Sequence, residues 1–499
     1  MSEQYGPQGE RGARPAWAAD PGGRRTSPEP HGAEGRQHSD AAPASYVNAG
    51  PADYAEAPHG GNVPHGETVP SGETVPPREA HGAPPPDSAF ARGVARITGG
   101  ALAPYQTAVV RIGFAATWLF FLLRELPHRH ELYGPDGPWG WNLADKLIES
   151  NHAFTVLLWT DSTAWFEFVY VLAVLSSVAL LVGWRSRTAS VLFMVGVLSL
   201  QNRSVFMGDG GDNVIHLMAM YLVLTRCGQV WSLDARRLRR RGGGHDGAAG
   251  PDGPAEQSDA VGVALWAVFG AVMVAATALG GLSIGWGLFF WALWASQAVW
   301  RVVGRYSPHS EARAVCDMLA NLVHNAALLV IVIEVCLIYS TAGWYKIQGS
   351  RWQDGTAVYY PMNLDYFSPW PELNSVLAGS GLLMLLITYG TVAVQVAFPF
   401  ALFNRRVKNV LLAAMITEHI SIAVLLGLPF FSMAMVAADA VFLPTVALLW
   451  LGARSSAGWQ RVRSRLGSGG SGTDGSGAAD DGGPSSVPRQ RTGRNMSVR

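Results

Sequence analysis

The sequence predicts an all-α integral membrane protein, a bundle of about ten transmembrane helices flanked by disordered tails. Three observations carry this. Long apolar runs recur between residues 105 and 451, basic residues collect at alternate ends of those runs, and both ends of the chain are polar and rich in Gly and Pro. Of 499 residues, 49% are hydrophobic and only 15% charged, and the polar tails make the central part more apolar still.

Residues 1–95 contain almost no Leu, Ile or Phe and include the near-repeat "HGETVPSGETVP". Such a segment buries too little surface to offset its chain entropy, so a disordered tail is expected. Residues 452–499, with "GSGGSGTDGSG", are expected to behave alike. His31, His38, His59, His65 and His81 lie in the first tail at irregular spacing, which favours a linker over a chelating site. No apolar run precedes residue 100, so membrane insertion is expected to rest on internal segments. The formal net charge of +0 gives no argument for nucleic acid as a partner. Cys227, Cys316 and Cys336 have no metal-knuckle or disulfide spacing, and no metal is expected.

A helix needs roughly 20 apolar residues to cross about 30 Å of hydrocarbon. Runs of this kind are predicted near 105–126, 164–183, 188–204, 212–226, 260–281, 284–301, 314–345, 375–402, 408–427 and 430–451. The third and fourth are short, as expected of helices that are tilted, broken or buried among neighbours. Charge gives the orientation. With a cytoplasmic N-terminus, every even-numbered run ends in a basic cluster: Arg185 and Arg187; Arg226 and Arg236 to Arg241; Arg301, Arg305 and Arg313; Arg405, Arg406 and Lys408. Positive residues favour the cytoplasm, so the chain is expected in the cell membrane with both termini inside. The linker 232–259, with "RRLRRR", splits the domain 100–451 and reads as a topogenic signal that touches anionic lipid head groups. Membrane lipids are therefore expected partners.

The two faces differ. The outer loops 127–163 and 346–374 carry Trp139, Trp141, Trp352, Tyr359, Tyr360 and Trp370, with Trp344 at the edge. Interfacial belts account for many such residues, yet their concentration on one face makes that face the better place for a site.

Ionisable groups inside spans are costly and are candidates for function. The seventh run holds Asp317, Asn321, His324 and Asn325 on one helical face, with Glu334 deeper. The ninth holds Glu418 and His419, the tenth Asp439. Two readings stand: interhelical hydrogen bonding, worth about 1 kcal/mol apiece, or a proton relay through Glu334, Glu418 and His324. In "FMGDGGDNVIH", Asp212 is expected to cap the helix that starts at Asn213, with His216 a packing residue one turn on. At the end of the seventh run stands Lys346. As a snorkelling anchor its amine would reach water; as a reactive amine it would turn into the bundle, on the face it shares with Tyr339.

The segment "AGWYKIQGSRWQDGTAVYY" resembles a stretch of vitamin K-dependent gamma-carboxylases, with Ala342, Gly343, Lys346, Trp352 and Gly355 in the same layout and one extra residue before Trp352. "EHISIAVLLGLPFFSMAMVAADAVFLP" is similar to a later stretch, with His419, Gly427, Pro429 and Phe430 in register. Together with "LYGPDGPWGW" and "GDGGDN", the order resembles the horizontally transferred transmembrane (HTTM) domain proteins over residues 100–451. The resemblance implies a reduced quinone as cofactor, Lys346 as the base that deprotonates it, and His419 as its catalytic partner. Trp344, Tyr339 and Trp352 would then contact the quinone. Tyr345-Lys346 replaces the double lysine of the carboxylases, and a polar tail replaces their peptide-binding extramembrane domain, so quinol use is implied more directly than glutamate carboxylation. Alternatives from other classes are a proton-coupled transporter of a small lipophilic solute and a non-catalytic membrane scaffold.

Overall fold

The computed structural model describes residues 88–204, 206–242 and 260–467. The expectations for the histidine-bearing tail, for most of the linker and for the C-terminal end lie outside them. Every predicted apolar run is met by helix. The helices are α1 (Ala89–Gly99), α2 (Pro104–Glu125), α3 (Arg129–Tyr133), α4 (Trp141–Asn151), α5 (Thr163–Val182) and α6 (Ser186–Arg203). Next come α7 (Gly210–Leu224), α8 (Leu233–Gly242), α9 (Ala260–Ala278), α10 (Ile284–Tyr306) and α11 (Glu311–Gln348). Three short helices follow, α12 (Ser350–Gln353), α13 (Tyr359–Met362) and α14 (Pro371–Ala378). The chain ends with α15 (Gly381–Ala401), α16 (Arg405–Leu425), α17 (Pro429–Asp439) and α18 (Thr445–Gly467).

The ten expected spans are met in part. Among the described residues six helices are long and apolar enough to cross a membrane: Pro104–Tyr133, Thr163–Val182, Ala260–Ala278, Glu311–Gln348, Gly381–Ala401 and Arg405–Leu425. Pro429–Phe442 and Thr445–Ser456, bent by 117°, bring the number to seven if the pair is one span. The physical reason is protein burial. Helices α6 and α7 run through the interior, and α6 buries Ser186, Ser190, Ser199 and Arg203 among other helices rather than in lipid. Such a helix is free to carry polar groups, provided each finds a partner. Arg203 does so, donating to the carbonyls of Trp139 and Gly134 at 2.9 Å each. In α10, Trp and Arg residues lower the apolar average of an otherwise long helix.

The ends are set by local chemistry. Ser88 caps α1 by accepting from Ala91 N, Pro104 opens α2, and Asn404 caps α16. Helix α5 ends at Gly183 with φ of 68°, where a Cβ would stand 2.4 Å from Ser232 Cβ; only glycine fits both constraints. The cap of α7 differs from expectation. Asp209, not Asp212, is the N-cap, accepting from Gly211 and Asp212 N, while Asp212 accepts from Asp209 N at 2.9 Å. Either aspartate suits a cap by residue type; the reciprocal capping box needs both and starts the helix three residues earlier. His216 is held by Gln201 at 3.0 Å, as suits a packing residue.

The core lies where α2, α5, α6, α7 and α17 meet, around Trp118, Phe114, Tyr170, Phe193 and Met194. Small residues set how closely the helices approach: Gly113 of α2 meets Ala437 of α17 so tightly that an added Cβ would stand 2.5 Å from the alanine Cβ. Close backbone approach of this kind is the main source of van der Waals packing between membrane helices. Buried Arg111 caps the end of α5, donating to the Leu180 carbonyl at 2.9 Å and to the Trp231 carbonyl at 2.8 Å. Helices α9 and α10 form a peripheral hairpin locked by Trp266 and Trp294, stacked at 4.3 Å, each indole donating to the other's carbonyl.

Two helices extend the domain past its predicted limits of 100 and 451. Helix α18 runs to Gly467. Helix α1 precedes residue 100 and is fastened to α11: Asn321 donates to the Thr98 carbonyl, and Asn325 donates to the carbonyls of Ile97 and Gly100 and accepts from Leu102 N. These groups occupy carbonyls that a helix C-terminus leaves free.

Candidate functional site

Helix α11 sets the geometry. Its 38 residues make a rod of about 57 Å, longer than the hydrocarbon layer of about 30 Å. Its two ends therefore belong to different surroundings. The end near residue 320 carries Asn321, His324 and Asn325; the other carries Tyr339 and Lys346, about 10 Å apart along the axis and on one face.

Around Tyr339, three helices supply one buried array. The Tyr339 hydroxyl from α11 donates to Asp439 Oδ1 of α17 at 3.0 Å and lies 3.1 Å from His419 Nε2 of α16. All three side chains are buried, and Phe398 and Phe431 close the aromatic wall at ring distances of 5.8 Å to Tyr339 and 5.7 Å to His419. The outer atoms, His419 Nδ1 and Asp439 Oδ2, have no hydrogen-bond partner among the described residues. Because a tyrosine hydroxyl both donates and accepts, a proton taken up at Nδ1 can be relayed by transfer of the Nε2 hydrogen to Tyr339 and of the Tyr339 hydrogen to Asp439. The array can carry a proton from α16 to α17 without any side chain moving far.

A second chain lies beside it. Lys346 Nζ donates to Gln395 Oε1 of α15 at 2.8 Å, and Gln395 Nε2 donates to Glu418 Oε1 of α16 at 2.6 Å. Lys346 is half-buried and its amine stands 5.2 Å from the Trp352 ring centre, within range for cation–π attraction. The amine thus turns inward to the bundle rather than outward as an anchor. Gln395 fixes its direction, and the backbone makes room: at Gly343, one turn before Lys346, an added Cβ would stand 2.6 Å from Val396 of α15. The loop that brings Trp352 over the amine is set by Arg351 and Thr356, which both bond Asp354. The Thr356 hydrogen bonds, with Arg351 adding charge, hold the Asp354 carboxyl below its ordinary pKa.

Of the residues singled out in the sequence, Lys346, Tyr339, Trp352, Glu418 and His419 gather at this end. Trp344 does not join them; it is 62% exposed, turned away from the face shared by Tyr339 and Lys346. Glu334 is half-buried with no hydrogen bond or ion pair among the described residues, and lies about 140° around α11 from Tyr339. His324 is about 22 Å down the helix from Tyr339. Both of its ring nitrogens are engaged by backbone, Nδ1 accepting from Arg226 N and Nε2 facing the Leu102 carbonyl, each at 2.9 Å. A relay linking Glu334, Glu418 and His324 is therefore not assembled. Gln395 is the member that sequence reasoning did not identify; its one signal was a lone amide inside the apolar run "TVAVQVAFPFA". Among the described residues no cluster of three or more His, Cys, Asp or Glu could hold a metal ion.

A large cavity lies elsewhere, bounded by α5, α6, α9, α10 and the first half of α11, and none of Tyr339, Lys346, Gln395, Glu418 or His419 lines it. What the site offers is an amine held against an indole, backed by a carboxyl group, a short distance from a buried imidazole–phenol–carboxyl array. No known protein family, no curated protein and no solved structure matches this chain.

Proposed function

We propose that this multi-pass membrane protein is an enzyme that deprotonates a lipophilic acid of the reduced-quinone class, with Lys346 as general base. The observation that carries the reading is the inward turn of the Lys346 amine onto Gln395. A lysine serving only as an anchor at a helix end gains most by extending to water. The step is simple: the quinol O–H bond breaks, the proton goes to Lys346 Nζ, and the electron pair stays on oxygen. A bound quinol would supply two electrons for reduction of dioxygen, the oxidant the proposal requires. Trp352 offers a flat face to a ring, and Glu418, through Gln395, stabilises the ammonium that forms. His419 serves as proton partner through the Tyr339–Asp439 array. With α6, α7 and α10 crossing beside the six apolar helices, the proposed orientation puts Lys346 on the outer side and both termini in the cytoplasm, following the arginine bias.

Photolabelling in proteoliposomes with an azido-quinone tests the site. Label should fall in the segment 339–352 and be displaced by unlabelled menaquinone. Label confined to helices distant from Lys346 contradicts the reading.

A further inference from the structure

A cavity of about 680 Å³ opens between the α9–α10 hairpin and the bundle, within the range of roughly 300–1,000 Å³ common for ligand sites. Most of its wall is aliphatic or aromatic, including Leu172, Phe269, Phe290 and Leu319. Phe168 and Leu319, both on the wall, remain 57% and 56% exposed, so the cavity opens sideways between helices rather than being sealed. In a membrane that opening faces lipid.

One end of the cavity is strongly basic. Arg187, Arg226 and Arg301 line it. The guanidinium carbons of Arg187, Arg226 and Arg313 stand 4.5, 5.7 and 4.4 Å from the ring centre of a single indole, Trp300. Three arginines drawn from three helix ends thus surround one indole near a single carboxylate, Asp317, which pairs with Arg313 at 3.1 Å and Arg226 at 3.6 Å. The other acids of this end are engaged or remote: Asp234 accepts from the Arg185 and Ser186 amides, and Glu311 is exposed. The Arg187 guanidinium makes no hydrogen bond or ion pair among the described residues. Arg301 Nε is buried without a hydrogen-bond partner among the described residues. Clustering several cations around a single carboxylate at the edge of an apolar cavity is costly unless a further anion completes the set.

We propose that this cavity binds one membrane phospholipid with an anionic head group, its acyl chain along Phe269 and Leu319 and its phosphate on Arg187 and Arg301. The sideways opening selects a ligand already in the bilayer, and the excess of arginine selects negative charge over a zwitterion. The site is distinct from the Lys346 site and does not depend on the reading given to it.

The test is native mass spectrometry of the full chain released from detergent, titrated with phosphatidylglycerol and with phosphatidylcholine of the same acyl composition. Phosphatidylglycerol should form one saturable adduct about tenfold tighter than phosphatidylcholine, and inorganic phosphate at the same concentration should not displace it. At about 1 kcal/mol per arginine near the surface, Arg187→Gln should weaken the adduct about fivefold and Arg187→Gln/Arg301→Gln by more than tenfold. Leu319→Trp, which fills an exposed part of the wall and leaves every arginine in place, should weaken it without altering folding. Equal affinity for the two lipids, displacement by inorganic phosphate, or unchanged binding in Leu319→Trp would overturn the proposal.

Discussion

Tyr339 donates its hydroxyl hydrogen bond to Asp439 at 3.0 Å, across the contact between α11 and α17. These residues are 100 positions apart in the chain, and their union fixes the buried end of the candidate site. Asp439 Oδ1 has this partner, while Oδ2 has none among the described residues. Tyr339→Phe should therefore leave the carboxyl group and His419 without their shared partner. Thermal unfolding in detergent should show a loss of about 1–3 kcal/mol. A variant as stable as the wild type would mean that the array contributes nothing to the fold.

Gln395 links the Lys346 amine to the Glu418 carboxyl group. Gln395→Leu keeps the approximate volume but removes both hydrogen bonds, so the amine should lose its inward direction. Modification of Lys346 by a water-soluble amine reagent, read by mass spectrometry, should become several-fold faster. An unchanged rate would show that Gln395 does not hold the amine.

Asn325 fastens α1 through three hydrogen bonds, to Ile97 O, Gly100 O and Leu102 N. With each bond worth about 0.5–1.5 kcal/mol net, Asn325→Ala should release α1 without unfolding the bundle. Hydrogen exchange over residues 89–99 should accelerate at least tenfold while exchange in α2 stays as it was. Equal protection of α1 in both proteins would contradict this role.

Gly113 allows α2 to touch α17, with an added Cβ only 2.5 Å from that of Ala437. Gly113→Ala should destabilise the fold by about 1–3 kcal/mol through overpacking. Ala437→Gly in the same chain should recover most of that loss, and the absence of any recovery would place the strain elsewhere.

The sequence shows the helices better than their surroundings. Apolar length alone located α2, α5, α9, α11, α15 and α16, because a helix that crosses hydrocarbon must be apolar along most of its length. The same rule did not separate buried helices from lipid-facing ones. Helices α6 and α7 lie inside the bundle, where Ser199 and Arg203 are satisfied by protein groups. Local spacing put Lys346 and Tyr339 on one face of α11, which needs only the helical repeat. Gln395 and Asp439 reach them from 49 and 100 residues away, a tertiary fact with no local periodicity behind it. His324 illustrates the converse: a histidine inside an apolar run admitted both a hydrogen-bonding and a proton-carrying reading, and its ring proves tied to the backbone of Arg226 and Leu102. The basic cluster around Trp300 was legible only as scattered arginines on one face, since their convergence depends on how four helix ends pack.

The central claim is that the Lys346 amine acts as a base toward a reduced quinone. Oxygen consumption by protein reconstituted with menaquinol tests it most directly, comparing the wild type with Lys346→Ala. A positioned general base contributes roughly 10²–10⁴-fold, so the variant should fall at least a hundredfold while its unfolding temperature stays near that of the wild type. Equal turnover by the two proteins would contradict the account.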